Sequence, residues 1–115
     1  MGRFFKPDNM VCSKNGAGNN WAKGYYSEGC EIVEEVLERI RKEVEIADSM
    51  QGFQLTHSLG GGTGSGFGSI LLNKLSEEFS SKLIFNFSVL PGSSSSEGAP
   101  SDVVVEPYNT MLSLN

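Results

Sequence analysis

At 115 residues the chain has room for one small domain and none for a second. Hydrophobic residues at 38% and charged residues at 20% are globular proportions and exclude a disordered chain. A formal net charge of −5 excludes a nucleic-acid backbone as the main partner, because neutralising phosphates needs clustered Lys and Arg.

The opening Met1-Gly2-Arg3-Phe4-Phe5-Lys6 has no apolar region of a secretory signal. Pro7-Asp8-Asn9 signals a turn, Met10-Val11-Cys12 a short apolar run, and Asn15-Gly16-Ala17-Gly18-Asn19-Asn20 a flexible loop. The two cysteines, Cys12 and Cys30, stand in no metal-ligand spacing and read as free thiols of a reducing cytosol. From about Ser27 to Asp48 the pattern predicts a helix. Val33, Val36, Leu37, Ile40, Val44 and Ala47 form its buried stripe, and Glu35–Arg39, Glu38–Lys42 and Arg41–Glu45 form i,i+4 pairs on the other face. Gly52 breaks that pattern, and Phe53 to Ser58 reads as a strand. Gly60-Gly61-Gly62-Thr63-Gly64-Ser65-Gly66 then turns into a second helix around Ile70 to Leu75. Leu83 to Leu90 is a second strand, apolar enough to expect burial on both faces. Pro91 to Ser101, with four consecutive serines, is a low-complexity loop. Asp102-Val103-Val104-Val105-Glu106 leads to Pro107, which suits the first turn of a further helix. No run approaches the roughly 20 apolar residues of a membrane span.

Helices alternating with strands predict an α/β fold with a parallel sheet and crossover helices. Two clear strands leave a sheet with open edges and little core, so an incomplete slice of a larger Rossmann-like nucleotide-binding domain is expected.

The chemistry concentrates at Gly60 to Gly66, between a strand and a helix. Glycines admit a ligand close to the main chain, and the first amides of a helix point outward with partial positive charge. Together these make an anion cradle, with phosphate its usual occupant. Thr63 and Ser65 are candidates to add hydroxyl donors. The plainer reading is that the glycines permit tight strand-to-helix packing. The P-loop pattern fails, because no lysine follows a glycine here, and the dinucleotide pattern GxGxxG fails because Phe67 stands where its last glycine would be. His57, the only histidine, reads as a satisfied core residue and Trp21 as a packing anchor. No catalytic or metal-ligating cluster stands out.

Gly60 to Gly66 resembles the tubulin signature GGGTGSG, and the resemblance runs from Arg3 to Leu114. It is carried also by Gln51 to Leu59, by Gly16-Ala17-Gly18-Asn19-Asn20-Trp21-Ala22 and by Val105-Glu106-Pro107-Tyr108-Asn109. The wording around Asn19-Asn20-Trp21 and Leu55-Thr56-His57 is closer to the beta type than to alpha, and Ser101 to Val105 is a little like gamma. The resemblance implies a partial tubulin nucleotide-binding domain over residues 1–115, with phosphate loops at 16–22 and 58–66 and an extended Ser-rich loop at 91–101. It implies that Ser58 and Gly60, Gly61, Gly62, Thr63 and Gly64 hold the diphosphate of GTP. Ala17, Gly18 and Asn19 would close over the gamma-phosphate, and Asp102 and Glu106 would stand near the ribose. For these two acids the alternative is a helix cap and a dipole-favoured carboxylate.

The same resemblance implies a cytoplasmic, cytoskeletal subunit of microtubules that pairs with alpha tubulin, contacts neighbouring subunits and hydrolyses GTP on polymerisation. The family's Mg2+ ligand, its base-reading asparagines and its water-activating residues correspond to nothing between Met1 and Asn115. The serine loop is longer than the family's equivalent. A truncated, inactive product and, more remotely, a Rossmann-type nucleotide-dependent enzyme stand as alternatives.

Overall fold

A computed structural model describes residues 4–92 and 104–115. A short 3-10 turn at Pro7–Asn9 opens the described chain. Helical backbone begins at Trp21, widens into a π-turn at Lys23–Ser27, and continues as α1, Glu28–Ile46. Strand β1 is Gly52–Ser58. A second π-turn at Thr63–Phe67 leads into α2, Gly68–Glu78. Strand β2 is Leu83–Val89, and α3 is Glu106–Leu114 with Pro107 in its first turn.

The two strands pair in parallel from Gly52↔Leu83 to Ser58↔Val89, with α2 as the crossover. This is the α/β slice that the alternation of elements predicts. Both helices lie over one sheet face. Val33 and Leu37 of α1 meet Ile70, Leu71 and Leu75 of α2 in a buried cluster, with Phe53, Leu55 and Ile84 packed beneath from the strands. The spacing of three and four along α1 thus does what it predicts, because each turn returns an apolar side chain to the same line. Ala47, expected to continue that stripe, is the exposed C-cap.

Burial of β2 on both faces is not found. Leu83, Phe85, Phe87 and Val89 alternate onto the face away from the helices and are 65%, 57%, 56% and 66% exposed. Their β1 neighbours on that face are Gln54, Thr56 and Ser58, all exposed as well. The reason is geometric: the described residues lay helices on one face only, and a parallel sheet needs both covered to be buried.

The predicted charge ladder on α1 is also revised. Glu35 and Arg39 pair at 3.7 Å. Arg41 turns away from Glu45 to α2, where its Nε and Nη2 donate to the two carboxylate oxygens of Glu78 at 2.5 and 2.8 Å. A planar guanidinium gains two parallel bonds there, which an i,i+4 partner on its own helix does not offer.

Candidate functional site

The sheet's C-terminal end, where crevice ligands of open α/β folds gather, carries two loops. One is the glycine segment after β1; the other is Asn15 to Asn20, ahead of the helix that becomes α1. Gly18 and Asn19 adopt consecutive left-handed conformations, φ 56° and 54°. Asn tolerates this region better than other residues with a side chain. Asn20 N–H donates to Ala17 O at 3.0 Å, closing the loop, and Asn20 Oδ1 caps the helix by accepting from Ala22 N–H at 2.9 Å. A side-chain oxygen at this position satisfies helix donors that would otherwise have none.

The two loops touch. A Cβ on Gly62 would come within 2.6 Å of Asn20 N and 2.8 Å of the Ala17 methyl. The N–H groups of Gly18, Asn19, Gly61, Gly62, Thr63 and Gly64 find no acceptor among the described residues. Adjacent main-chain donors of this kind form the concavity in which oxyanions are held.

Ser65 does not join them. It is 0% exposed, and its hydroxyl donates to the carbonyls of Gly61 and Gly62, so it braces the loop from inside instead of facing a ligand. Thr63 is exposed at the rim, and Ser58 is exposed at the end of β1 with its Oγ 3.4 Å from Gly60 N. Glu106, half-buried at the start of α3, lies against Gly60: a Cβ built on the glycine would be 3.4 Å from Glu106 Cγ. Ala17, Gly18, Asn19, Ser58, Gly60 to Gly64 and Glu106 are therefore brought together. Asp102 lies outside the described residues.

His57 sits beneath the glycine loop with both nitrogens engaged. Nδ1–H donates to Gly64 O at 2.5 Å, and Nε2 accepts from Ser88 Oγ at 3.1 Å. It is a tie between the loop and the sheet, in keeping with the reading of a satisfied histidine. Trp21 stacks on Tyr25 with ring centroids 4.8 Å apart and meets Tyr26 edge-on, as a packing anchor would.

Asn109, assigned no role at the site from the sequence, proves central. It is 3% exposed on α3. Its Nδ2 donates to Asn19 O at 2.8 Å and Gly60 O at 2.9 Å, and its Oδ1 accepts from Trp21 N–H at 3.0 Å. The segment Val105 to Asn109 belongs to the wording that points to the family, but nothing local distinguishes an asparagine that reaches back 90 positions from one that caps a turn.

Among the described residues no group of three or more His, Cys, Asp or Glu gathers, so they form no all-protein metal cage. Magnesium beside a nucleotide is held mainly by phosphates and water with one or two carboxylates. None of the described helices is long and apolar enough to cross a membrane. Both cysteines are free and exposed.

A parallel sheet with a crossover helix and two amide-rich loops at its C-terminal end defines an α/β phosphate-binding class. Residues 1–115 match the tubulin/FtsZ family, GTPase domain, and the chain belongs to that family. It is 57% identical over 115 residues to proteins named tubulin beta-1 chain from Colletotrichum graminicola and from Colletotrichum gloeosporioides. It is 53% identical over the same span to a tubulin beta-3 chain from Echinococcus multilocularis. All of this chain is covered in each alignment but only 25% of each relative, so the chain spans about a quarter of the length of the curated relatives it matches.

Proposed function

We propose that the chain supplies the phosphate-holding part of a GTP-binding subunit of microtubules of the beta-tubulin type. The observation that carries this reading is the meeting of two loops whose amides find no acceptor among the described residues. Gly18 and Asn19 stand on one side, and Gly61, Gly62, Thr63 and Gly64 on the other. Ala17 shapes the first loop, while Ser58 and Gly60 set the exit from β1. Glu106, and Asp102 with it, accept hydrogen bonds from ribose hydroxyls. Residues 1–115 act as part of one nucleotide-binding domain, with 16–22 and 58–66 as its phosphate loops.

The relatives' names and the family support a wider activity for the whole subunit. The subunit pairs with alpha tubulin and neighbouring subunits in the cytoplasmic cytoskeleton, and GTP hydrolysis is coupled to polymerisation. No residue here is assigned to activate water. When GTP is bound, this chain's part is to neutralise phosphate charge through backbone donors and to hold the phosphates in register with the sheet.

Each hydrogen bond to a charged oxygen contributes about 1.5–3 kcal/mol, so two or three net contacts support roughly millimolar binding, about −4 kcal/mol. The test is equilibrium binding of labelled GTP to the folded chain, competed with ATP, inorganic pyrophosphate and NAD. Weak saturable binding, displaced equally by GTP, ATP and pyrophosphate, is expected. Sub-micromolar binding displaced by GTP alone would show that the base is read within these residues. No binding at all, or a preference for NAD, would remove the reading.

A further inference from the structure

The geometry points to Asn109 as a positioning residue that sets the spacing of the two phosphate loops and passes their occupancy to Trp21 and α3. This deepens the proposed phosphate-holding role and rests on it.

Asn109 makes one acceptor bond and two donor bonds, to three backbone groups that belong to separate parts of the site. One end of the amide must accept, because Trp21 offers an N–H. The other must donate twice, because Asn19 and Gly60 offer carbonyls. That fixes the orientation of the side chain without ambiguity, and only a carboxamide of this length meets all three demands. Aspartate would keep the bond from Trp21 but set a carboxylate against two carbonyl oxygens. Alanine would leave three backbone groups without their partner at a site 3% exposed.

The carbonyl-bonding positions alternate with the cradle donors. The Asn19 carbonyl belongs to the peptide unit that carries the Asn20 N–H, which closes the loop onto Ala17, and the Gly60 carbonyl to the one that carries the Gly61 N–H. Pulling on the Gly60 carbonyl therefore rotates a cradle amide, and pulling on the Asn19 carbonyl shifts the turn that presents Gly18 and Asn19. A phosphate that draws the two loops together loads the Asn109 side chain. The load has two exits. Trp21, the only tryptophan, is bonded through its backbone N–H. The helix α3 also approaches the same loop at Thr110, whose Oγ1 donates to Glu106 O at 2.8 Å within the helix and lies 3.4 Å from Leu59 O. The exposed side chains of Tyr108, Met111 and Leu112 ride on that helix. A change at the phosphates thereby reaches an apolar surface without any contact between the two.

The experiment titrates inorganic pyrophosphate into the chain and into Asn109→Asp, following Trp21 emission, with far-UV circular dichroism confirming the fold of each. The chain should bind with a change in Trp21 emission. Asn109→Asp should need at least about tenfold more pyrophosphate and should lose the emission change, since carboxylate replaces both donors. A measurement on the unsubstituted chain stands beside this: its Asn109 side-chain amide resonances should move in step with the backbone amides of Asn19 and Gly61. Equal binding by Asn109→Asp, or Asn109 resonances that stay fixed at saturation, overturns the inference while leaving the proposed function intact. If Asn109→Asp fails to fold, the resonances decide alone. Absence of pyrophosphate binding by the unsubstituted chain removes the proposed function and this inference together, an outcome distinct from the other two.

Discussion

At Gly24 the structure asks for a glycine for a reason unconnected with ligands. A Cβ there would lie 2.9 Å from the carbonyl carbon of Gly62 and 3.2 Å from Gly66 Cα, so the two π-turns could not approach as they do. Such insertions widen a helix and recur at functional sites, and here they let two helix starts nest at the loops. Gly16 shows the opposite: nothing lies within 4 Å of an added Cβ. Gly24→Ala should destabilise the chain by about 1–3 kcal/mol and Gly16→Ala by less than about 0.5 kcal/mol, read by thermal or urea unfolding. Equal effects would mean that the turns are not packed in this way. At this scale the sequence is legible where function uses a dense local motif. Gly60 to Gly66 can be picked out because glycine density is a local property, whereas Ala17 to Asn19 read locally only as a loop and gained a site role through the resemblance. The inward turn of Ser65 and the long reach of Asn109 cannot, since both depend on which backbone groups the fold happens to deliver. Asp102 was legible only through resemblance and lies outside the described residues.

Among the elements, α1 is the best predicted and its charges the worst. Hydrophobic periodicity fixes which side of a helix faces the core, but polar side chains choose among partners that only tertiary structure supplies. The bidentate bond to Arg41 holds the Glu78 carboxyl below the usual carboxylate range, and the same bond raises the Arg41 guanidinium further above neutrality. A carboxyl whose folded pKa is depressed adds stability above its unfolded pKa and loses it as pH falls through the folded value. Arg41 stays charged throughout that window. Glu78→Gln should therefore lower the melting temperature slightly at pH 7 and not at all near pH 2. Glu45→Gln should change little at either, because Glu45 is not the partner. A loss for Glu45→Gln matching that for Glu78→Gln would restore the ladder along α1. The effect should also shrink in high salt, as expected for a pair at the surface.

Taken whole, the molecule is lopsided. Among the described residues α1 and α2 cover one sheet face, and the other presents Leu83, Phe85, Phe87 and Val89 to solvent. The near-continuous apolar run of β2 is the sequence of a strand covered twice, and its mismatch with the structure is consistent with a chain that spans 25% of its relatives. Phe85→Thr should leave stability within about 0.5 kcal/mol while reducing concentration-dependent self-association in sedimentation. By contrast, Leu37→Ala, in the packed cluster, should cost about 2–5 kcal/mol. Fold class was legible because alternating helices and strands leave few architectures open; the covering of each face was not, because an apolar strand pattern does not say which elements pack on it. What joins all three scales is the claim that two sequence-distant loops form a single phosphate cradle. Two-dimensional amide spectra of the chain, recorded as pyrophosphate is added, test it most directly. The resonances of Gly18, Asn19, Gly61, Gly62, Thr63 and Gly64 should shift together with one dissociation constant. Shifts confined to one loop, or centred on the surface lysines Lys74 and Lys82, would contradict it.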